Sequence, residues 1–318
     1  MTLTMLQLAA VLVGVAAIGA AQAQDKTIVT LGTATPGGGF PVYGDAVAQT
    51  INEADATLSV QPRNTRGSAE NIPLLEAGSL DIALVQGEAA FEALNGIGRA
   101  PADLRIIAAM YATAGMFVVR ADGPARSIRD LVGQKVAFGA RGSGLVILAR
   151  YVLDGIGLDQ ERDFQAIYLE RAGDGPAMVL DGRAAALWGG GIGWPGFATM
   201  ARSEPGARFI TPSAEEISRI RARHTFLRPL ATPAGSYPGQ DGELRSVGSW
   251  SFIMARPSLA DDVAFRLARA LHRGETALGQ RLPQARETTA ANTVAAVPRM
   301  ELLHPGVARY LREQGLMR

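Results

Sequence analysis

The sequence predicts an α/β fold in which two similar α/β lobes are joined by a two-strand hinge. Short apolar runs alternate with helical stretches, which is typical of mostly parallel sheets covered by helices. The succession of strand, Gly-rich turn and helix begins near Thr27 and begins again near Val136. The length of 318 residues suits two domains of ordinary size rather than one small core.

The first succession of elements starts with an apolar strand at 27–31. A Pro- and Gly-rich turn follows, and then a helix from about residue 40 to residue 52. Ser68 is a good N-cap for a second helix, which Gly78 closes. Further strands of this lobe are predicted at 58–63, 82–86, 104–110 and 116–120.

The second succession has strands at 136–139, 164–169 and 185–188. The region 226–248 is rich in Pro and Gly and is predicted to be irregular, and an apolar strand follows at 250–255. Because the chain must leave the first lobe and return to it, we expect the crossing strands near 116–120 and 250–255. The expected division is lobe 1 at 24–116 plus 256–318 and lobe 2 at 117–255.

Residues 1–23 are predicted to be a signal peptide. An apolar stretch at 8–21 runs into Ala21-Gln22-Ala23, the small-x-small pattern of a cleavage site, although no Lys or Arg precedes it. The alternative is a retained membrane anchor, for which the stretch is short of the roughly 20 apolar residues that a span needs. We expect cleavage after Ala23 and a periplasmic mature protein.

Composition argues against several classes of function. The formal net charge of +1 leaves no electrostatic footprint for a nucleic-acid partner. The absence of cysteine from the sequence removes disulfides, thiolate metal sites and lipidation. His224, His272 and His304 are far apart, and no nucleophile elbow or acid–base carboxylate pair stands out. We therefore expect no catalytic residue, metal or cofactor.

Four Gly-rich turns between strands and helices are the candidate binding elements. Where strands end in an open α/β sheet, helix N-termini present N–H groups and a positive dipole end to an anion. Two turns belong to each lobe, so they would hold a small anionic solute from both sides. The alternative interpretation is that Ser68 only caps its helix and that Trp188 is a core residue. The candidate ligand-binding residues are Gly38, Gly39, Phe40, Tyr43, Ser68, Asn71, Gln86, Arg141, Gly142, Ser143, Gly144, Trp188 and Gly191.

Several segments between about residue 27 and residue 315 also carry a family resemblance. They are 31–33, 37–44, 66–71, 80–86, 139–144, 233–240 and 303–310. In this order they resemble TAXI-type solute receptors of TRAP transporters. The resemblance implies a type II periplasmic-binding fold, an inner-membrane TRAP permease as partner, and glutamate, 2-oxoglutarate or a related carboxylate as ligand. It also implies ligand contacts from the turn at 37–40, Ser68, Asn71, Gln86 and the turn at 142–144.

The sequence departs from this family at the supposed pocket. The first turn continues as Phe40-Pro41-Val42-Tyr43, where the family usually has paired aromatic residues, and Leu145 stands where Thr is frequent. The expected function is an extracytoplasmic solute-binding protein that captures a small carboxylate and delivers it to the permease. The alternative is a periplasmic sensing module for a signalling partner, because the same two lobes would serve either purpose.

Overall fold

The structure is a computed structural model that describes residues 26–318. The predicted signal peptide at 1–23 therefore lies outside the described residues. No helix in the described part of the chain is long and apolar enough to cross a membrane. The strands are β1 (Thr27–Gly32), β2 (Leu58–Arg63), β3 (Ile82–Val85), β4 (Arg105–Arg120), β5 (Lys135–Ala140), β6 (Gln165–Leu169), β7 (Ala186–Gly190), β8 (Ala207–Ile210), β9 (Arg228–Thr232) and β10 (Leu244–Ala255).

Helices connect most of these strands, as a fold with parallel pairs requires. They are α1 (Gly39–Ala54), α2 (Ser68–Glu76), α3 (Gly87–Asn95), α4 (Gly144–Gly155), α5 (Gly175–Leu180), α6 (Pro195–Arg202), α7 (Ala214–Arg223), α8 (Asp261–Arg281), α9 (Ala290–Ala296) and α10 (Pro305–Glu313). Short 3₁₀ turns, such as Pro283–Glu287, complete the connections.

The strands pair in the order β2-β1-β3-β10-β4-β7-β5-β6, with β8 on β4 and β9 on β10. The pairs within each half are parallel, β1 with β2 and β3, and β5 with β6 and β7. The two long strands β4 and β10 pair antiparallel in the middle, and they connect the halves. The predicted α/β fold of two lobes joined by a two-strand hinge is confirmed.

Each lobe has its own apolar core. In the first lobe (β1–β3, α1–α3 and α8–α10), buried residues between Val29 and Tyr111 pack with residues between Phe252 and Leu311. In the second lobe (β5–β9 and α4–α7), two buried clusters are drawn from residues between Ala114 and Val247. The long strands β4 and β10 contribute residues to both lobes.

Two sequence expectations about the hinge are wrong in detail. The separate strands expected at 104–110 and 116–120 are one strand, β4. Gly115 lies inside this strand, and a Cβ there would lie 2.5 Å from the Trp188 ring, so the glycine makes room for the indole. The region 226–248 is also more regular than expected, since it holds β9 and the first residues of β10.

The hinge predicts a strong effect of one added methyl group. A Cβ at Gly248 would lie 1.7 Å from the Thr113 carbonyl oxygen, which belongs to the backbone of the paired strand. We expect Gly248→Ala to destabilise the protein by about 1–3 kcal/mol or more, which urea unfolding would measure. Gly242→Ala is the control, because a Cβ there meets nothing within 4 Å, and it should change stability by less than about 0.5 kcal/mol. Equal stability of the two variants would contradict this account of the hinge.

Candidate functional site

A small cavity that opens to the surface lies between the two lobes. It is located where the helices α1, α2 and α4 begin, so the Gly-rich turns that the sequence singled out meet at one place. Residues of the hinge strand β4 form its wall between the lobes. The lining residues are Ala34, Thr35, Gly38, Gly39, Phe40, Arg66, Gly67, Ser68, Gln86, Tyr111, Thr113, Gly139, Ala140, Ser143, Gly144, Leu145, Ala172, Gly190 and Trp194.

Helix starts supply free N–H groups to this cavity. The N-cap of α1 is Gly38, which makes no side-chain cap bond, and neither α1 nor α4 has an acidic residue in its first turn. Within residues 26–318, the N–H groups of Gly39, Phe40 and Gly144 have no hydrogen-bond partner. Unpaired N–H groups at helix N-termini, reinforced by the helix dipole, favour a bound anion.

Three buried side chains add polar groups that the described protein atoms do not engage. Tyr111, Thr113 and Trp194 are each 4% exposed, and all three line the cavity. Burial raises the pKa of the Tyr111 hydroxyl, and Tyr43 and Glu287 add to the effect, so the hydroxyl stays protonated and able to donate. Polar groups of buried residues are normally hydrogen-bonded. The hydroxyls of Tyr111 and Thr113 and the indole N–H of Trp194 are therefore available to bind a ligand.

The lining has a positive electrostatic character. Arg66 is the one ionised side chain among the lining residues of the described chain, and no carboxylate lines the cavity. Arg66 is exposed, and it forms no ion pair with another described residue. A ligand with negative charge is thus favoured by the starts of α1 and α4 and meets no carboxylate among the described lining residues. Glu70, in the first turn of α2, lies outside the lining and accepts from the Arg66 backbone N–H.

Gln86 links the cavity to a buried acid. Its backbone N–H donates to the Ser68 hydroxyl at 3.0 Å, and its side-chain Nε2 donates to Oε2 of Glu88 at 2.9 Å. The hydroxyl of Ser249, on β10, donates to the other oxygen of Glu88 at 2.7 Å. Burial raises the pKa of Glu88 to about 7, although these hydrogen bonds oppose the shift.

The structure brings one group of the predicted site residues to the cavity. These residues are Gly38, Gly39, Phe40, Ser68, Gln86, Ser143 and Gly144. They are the turn and cap residues, whose position follows from local sequence.

The remaining predicted site residues lie outside the lining, and each has another partner. Tyr43 is fully buried and hydrogen-bonded to Thr288 at 2.8 Å. The amide of Asn71 donates to the carbonyl oxygens of Thr33 and Leu84, both at 2.8 Å, and so joins the ends of β1 and β3. Trp188 is a core residue, as in the alternative interpretation from sequence.

The other three of these residues belong to the second lobe. The Arg141 guanidinium lies over the ring of Tyr168, 4.8 Å from its centroid, and the residue is exposed. The carbonyl oxygen of Gly142 accepts from the N–H of Ala69 across the cleft at 3.1 Å. The carbonyl oxygen of Gly191 accepts from the Tyr237 hydroxyl at 2.9 Å.

Sequence reasoning missed Tyr111 and Thr113. They fall in the segment that was expected to separate two strands, although it belongs to β4. Their spacing of two residues places both side chains on one face of that strand. A polar pair on one face of an otherwise apolar strand is the signal that could have identified them.

Several contacts hold the lobes together around the cavity. Besides the Ala69–Gly142 bond, the N–H of Ala172 donates to the Thr35 hydroxyl at 3.2 Å. At the outer edge, Glu92 of α3 pairs with Arg150 of α4. The two lobes are therefore in a closed arrangement.

Glu88 predicts a pH dependence of stability. Its pKa rises from 4.5 in the unfolded chain to about 7 in the folded protein, so the folded protein binds more protons between these values. The free energy of unfolding should therefore fall by up to about 3 kcal/mol as the pH rises through this window, and then level off. Glutamine does not ionise, so Glu88→Gln lacks this loss of stability. The free energy of unfolding of the variant, relative to that of the wild type, should therefore increase as the pH rises through the same window. Parallel stability curves of the two proteins, measured by urea unfolding, would contradict this assignment.

Comparison with known proteins agrees with the fold. A protein of Bordetella bronchiseptica RB50 has a TM-score of 0.54 at 14% identity over 91% of this chain and 98% of that chain. A periplasmic transporter has 0.55 at 13% identity over 81% and 87%. An ancestral arginine-binding protein bound to arginine has 0.51 at 13% identity over 81% and 97%. At these identities the similarity shows the fold, and it agrees with the predicted type II periplasmic-binding class.

The family is shown by sequence. The profile of the NMT1-like family matches residues 31–315, which is nearly all of the described chain. The match begins in β1 and ends after α10, so it includes both lobes and the hinge. The chain belongs to the NMT1-like family.

Proposed function

We propose that the protein is a periplasmic solute-binding protein that captures a small carboxylate between its lobes and delivers it to the permease of a TRAP transporter. The observation that carries the proposal is the set of unpaired donors at the cavity: the N–H groups of Gly39, Phe40 and Gly144 and the Tyr111 hydroxyl. The periplasmic-binding fold supports it, as does the resemblance of several segments to TAXI-type receptors.

A carboxylate fits these donors better than a neutral solute does. It is an acceptor with two oxygens, and each charge-assisted hydrogen bond contributes about 1.5–3 kcal/mol. The lining offers no carboxylate to repel it, and Arg66 adds a positive charge. A few such bonds, less the cost of ordering the ligand, correspond to micromolar to nanomolar affinity, or about −8 to −12 kcal/mol.

Closure of the two lobes distinguishes the ligand-bound protein from the free protein. In this proposal, lobe 1 contains 24–116 plus 256–318 and lobe 2 contains 117–255, and the hinge strands bend between them. The ligand contacts helix starts of both lobes, so it favours the closed form through its greater affinity for that form. The permease then recognises the closed shape. The protein itself performs no chemistry on the solute.

A ligand screen tests this function. The chain from residue 24 is screened by thermal shift against carboxylates, sugars, cations, phosphates and nucleotides, and each hit is confirmed by calorimetry. We expect stabilisation by a carboxylate without turnover, because binding to the folded state raises the melting temperature. Deletion of the gene should also abolish uptake of that carboxylate by the host. Stabilisation only by sugars, cations or nucleotides would refute the carboxylate site.

The unpaired Tyr111 hydroxyl makes a sharper prediction. Tyr111→Phe should weaken carboxylate binding about tenfold, as measured by calorimetry, while the unfolding midpoint stays near that of the wild type. Tyr43→Phe is the matched control, because its hydroxyl is bonded to Thr288 in the core and should affect stability but not affinity. Arg141→Ala should change neither, since Arg141 lies outside the lining. Unchanged affinity in Tyr111→Phe would remove this hydroxyl from the site.

A further inference from the structure

The side-chain amide of Gln86 has a defined orientation at the cavity. Gln86 is 3% exposed, and its Nε2 is occupied by Oε2 of Glu88 at 2.9 Å. The amide oxygen lies on the other side of the group, 3.1 Å from the position of a Cβ on Gly144, a lining residue. In the described chain no donor engages this oxygen. Gln86 therefore presents an acceptor to the cavity and not a donor.

The Glu88 carboxylate imposes this orientation. Glu88 is fully buried, and as an ion it can only accept hydrogen bonds. If the amide were reversed, the Gln86 oxygen would lie against a Glu88 oxygen, and two acceptors in contact repel each other. The backbone N–H of Gln86 is bonded to Ser68, so the residue cannot move away to avoid this contact. Ser249 holds the other carboxylate oxygen, which keeps Glu88 in place.

The unpaired Gln86 oxygen, an acceptor that cannot turn into a donor, selects the chemistry of the ligand. The donors of Gly39, Phe40 and Gly144 are satisfied by a carboxylate, but the Gln86 oxygen needs a donor from the ligand once the ligand displaces water from it. An unpaired buried acceptor costs about 1–3 kcal/mol. A ligand that carries a hydrogen-bond donor next to its carboxylate pairs this oxygen, and a plain or oxo-substituted carboxylate does not.

The charge of the site indicates whether the donor that the ligand offers to Gln86 is a hydroxyl or an ammonium group. An ammonium that leaves water needs a counter-charge or several acceptors. The lining supplies positive helix ends and Arg66, and the Glu88 carboxylate lies behind the Gln86 amide. A neutral hydroxyl needs one acceptor and no counter-charge, and Gln86 supplies that acceptor.

We infer that the cleft selects carboxylates bearing a hydroxyl group, with Gln86 as the residue that recognises the hydroxyl and Glu88 as the positioning residue that keeps the Gln86 oxygen toward the ligand. The inference rests on the proposed function, since it names the class of carboxylate that the same cleft binds. It assigns to the buried acid a role in specificity, which differs from a role in holding the fold together.

Calorimetry with matched acids tests the inference. One set is lactate, pyruvate, propionate and alanine, and the other is malate, oxaloacetate, succinate and aspartate. The titrations are run at about pH 8.5, where Glu88 is ionised. We expect the hydroxy acid of at least one set to bind about tenfold or more tightly than its oxo, unsubstituted and amino counterparts.

Two variants separate positioning from general stability. In Glu88→Gln the new amide can donate or accept, so the Gln86 amide is free to reverse, and the affinity ratio of hydroxy acid to oxo acid should fall toward one. Gln86→Met removes the acceptor and should abolish the same preference while the unsubstituted acid still binds. Glu92→Gln is the control on the same helix: it weakens a contact between the lobes, so it can lower every affinity, but the ratio should stay at the wild-type value.

The outcomes distinguish this inference from the proposed function. If carboxylates bind but the oxo, unsubstituted or amino acid binds as tightly as the hydroxy acid, the inference is overturned and the carboxylate site stands. A wild-type ratio in folded Glu88→Gln, or in Gln86→Met, also overturns it. If neither set binds and only carboxylates without a hydroxyl group stabilise the protein in the thermal-shift screen, the inference is overturned and the carboxylate site stands. If no carboxylate stabilises the protein, both the inference and the proposed carboxylate function are rejected.

Discussion

The antiparallel pairing of β4 with β10 is the constraint on which the rest of the molecule depends. It runs from Arg105 opposite Ala255 to Ala114 opposite Gly248, and each strand then continues into the second lobe. The strand β4 also carries Tyr111 and Thr113 to the cavity, and β10 carries Ser249 to Glu88. The hinge is thus also part of the binding wall, so a change in its geometry is felt directly at the site.

The cleft separates charges in a way that suits an acidic ligand. Helix starts and Arg66 face the cavity, whereas the acid nearest to it, Glu88, lies behind an amide that faces the ligand with its own oxygen. Burial keeps the pKa of this acid near neutrality, so its ionisation is costly and depends on the donors of Gln86 and Ser249. Ionising a carboxyl at this buried position costs desolvation free energy, which an apolar side chain of the same size would not require. This cost argues for a role of Glu88 in orienting Gln86.

Local features of the fold and site, such as turns and helix starts, could be predicted from the sequence. Contacts between residues that are far apart in the sequence could not. Gly39, Ser143 and Gly144 line the cavity as expected, because glycine turns and N-cap chemistry act within a few residues. Ser68 lines it too, but the expectation that it is the N-cap of α2 is wrong: Gly67 is the N-cap, and the Ser68 hydroxyl accepts from the Gln86 N–H. That Tyr43 and Asn71 lie outside the lining could not be predicted, because their partners, Thr288 for one and two strand carbonyls for the other, are brought near only by folding. The place of Arg66 in the lining, and of Arg141 outside it, depends in the same way on how the fold turns each loop toward the cleft.

Several polar contacts that close the cleft are individually weak, and Phe91 stacks on Phe226 beside them with ring centroids 3.9 Å apart. The side chain of Arg150 is 56% exposed, so its pair with Glu92 contributes at most about 1 kcal/mol. The bonds of Ala69 to Gly142 and of Ala172 to Thr35 join neutral groups, and each is worth about 1 kcal/mol. Water can replace these bonds when the lobes separate, whereas in the proposed function the donors of both lobes gain a charged partner when a carboxylate is between them. In the proposed function, a solute that contacts both lobes adds to these contacts and favours the closed form through its greater affinity for that form.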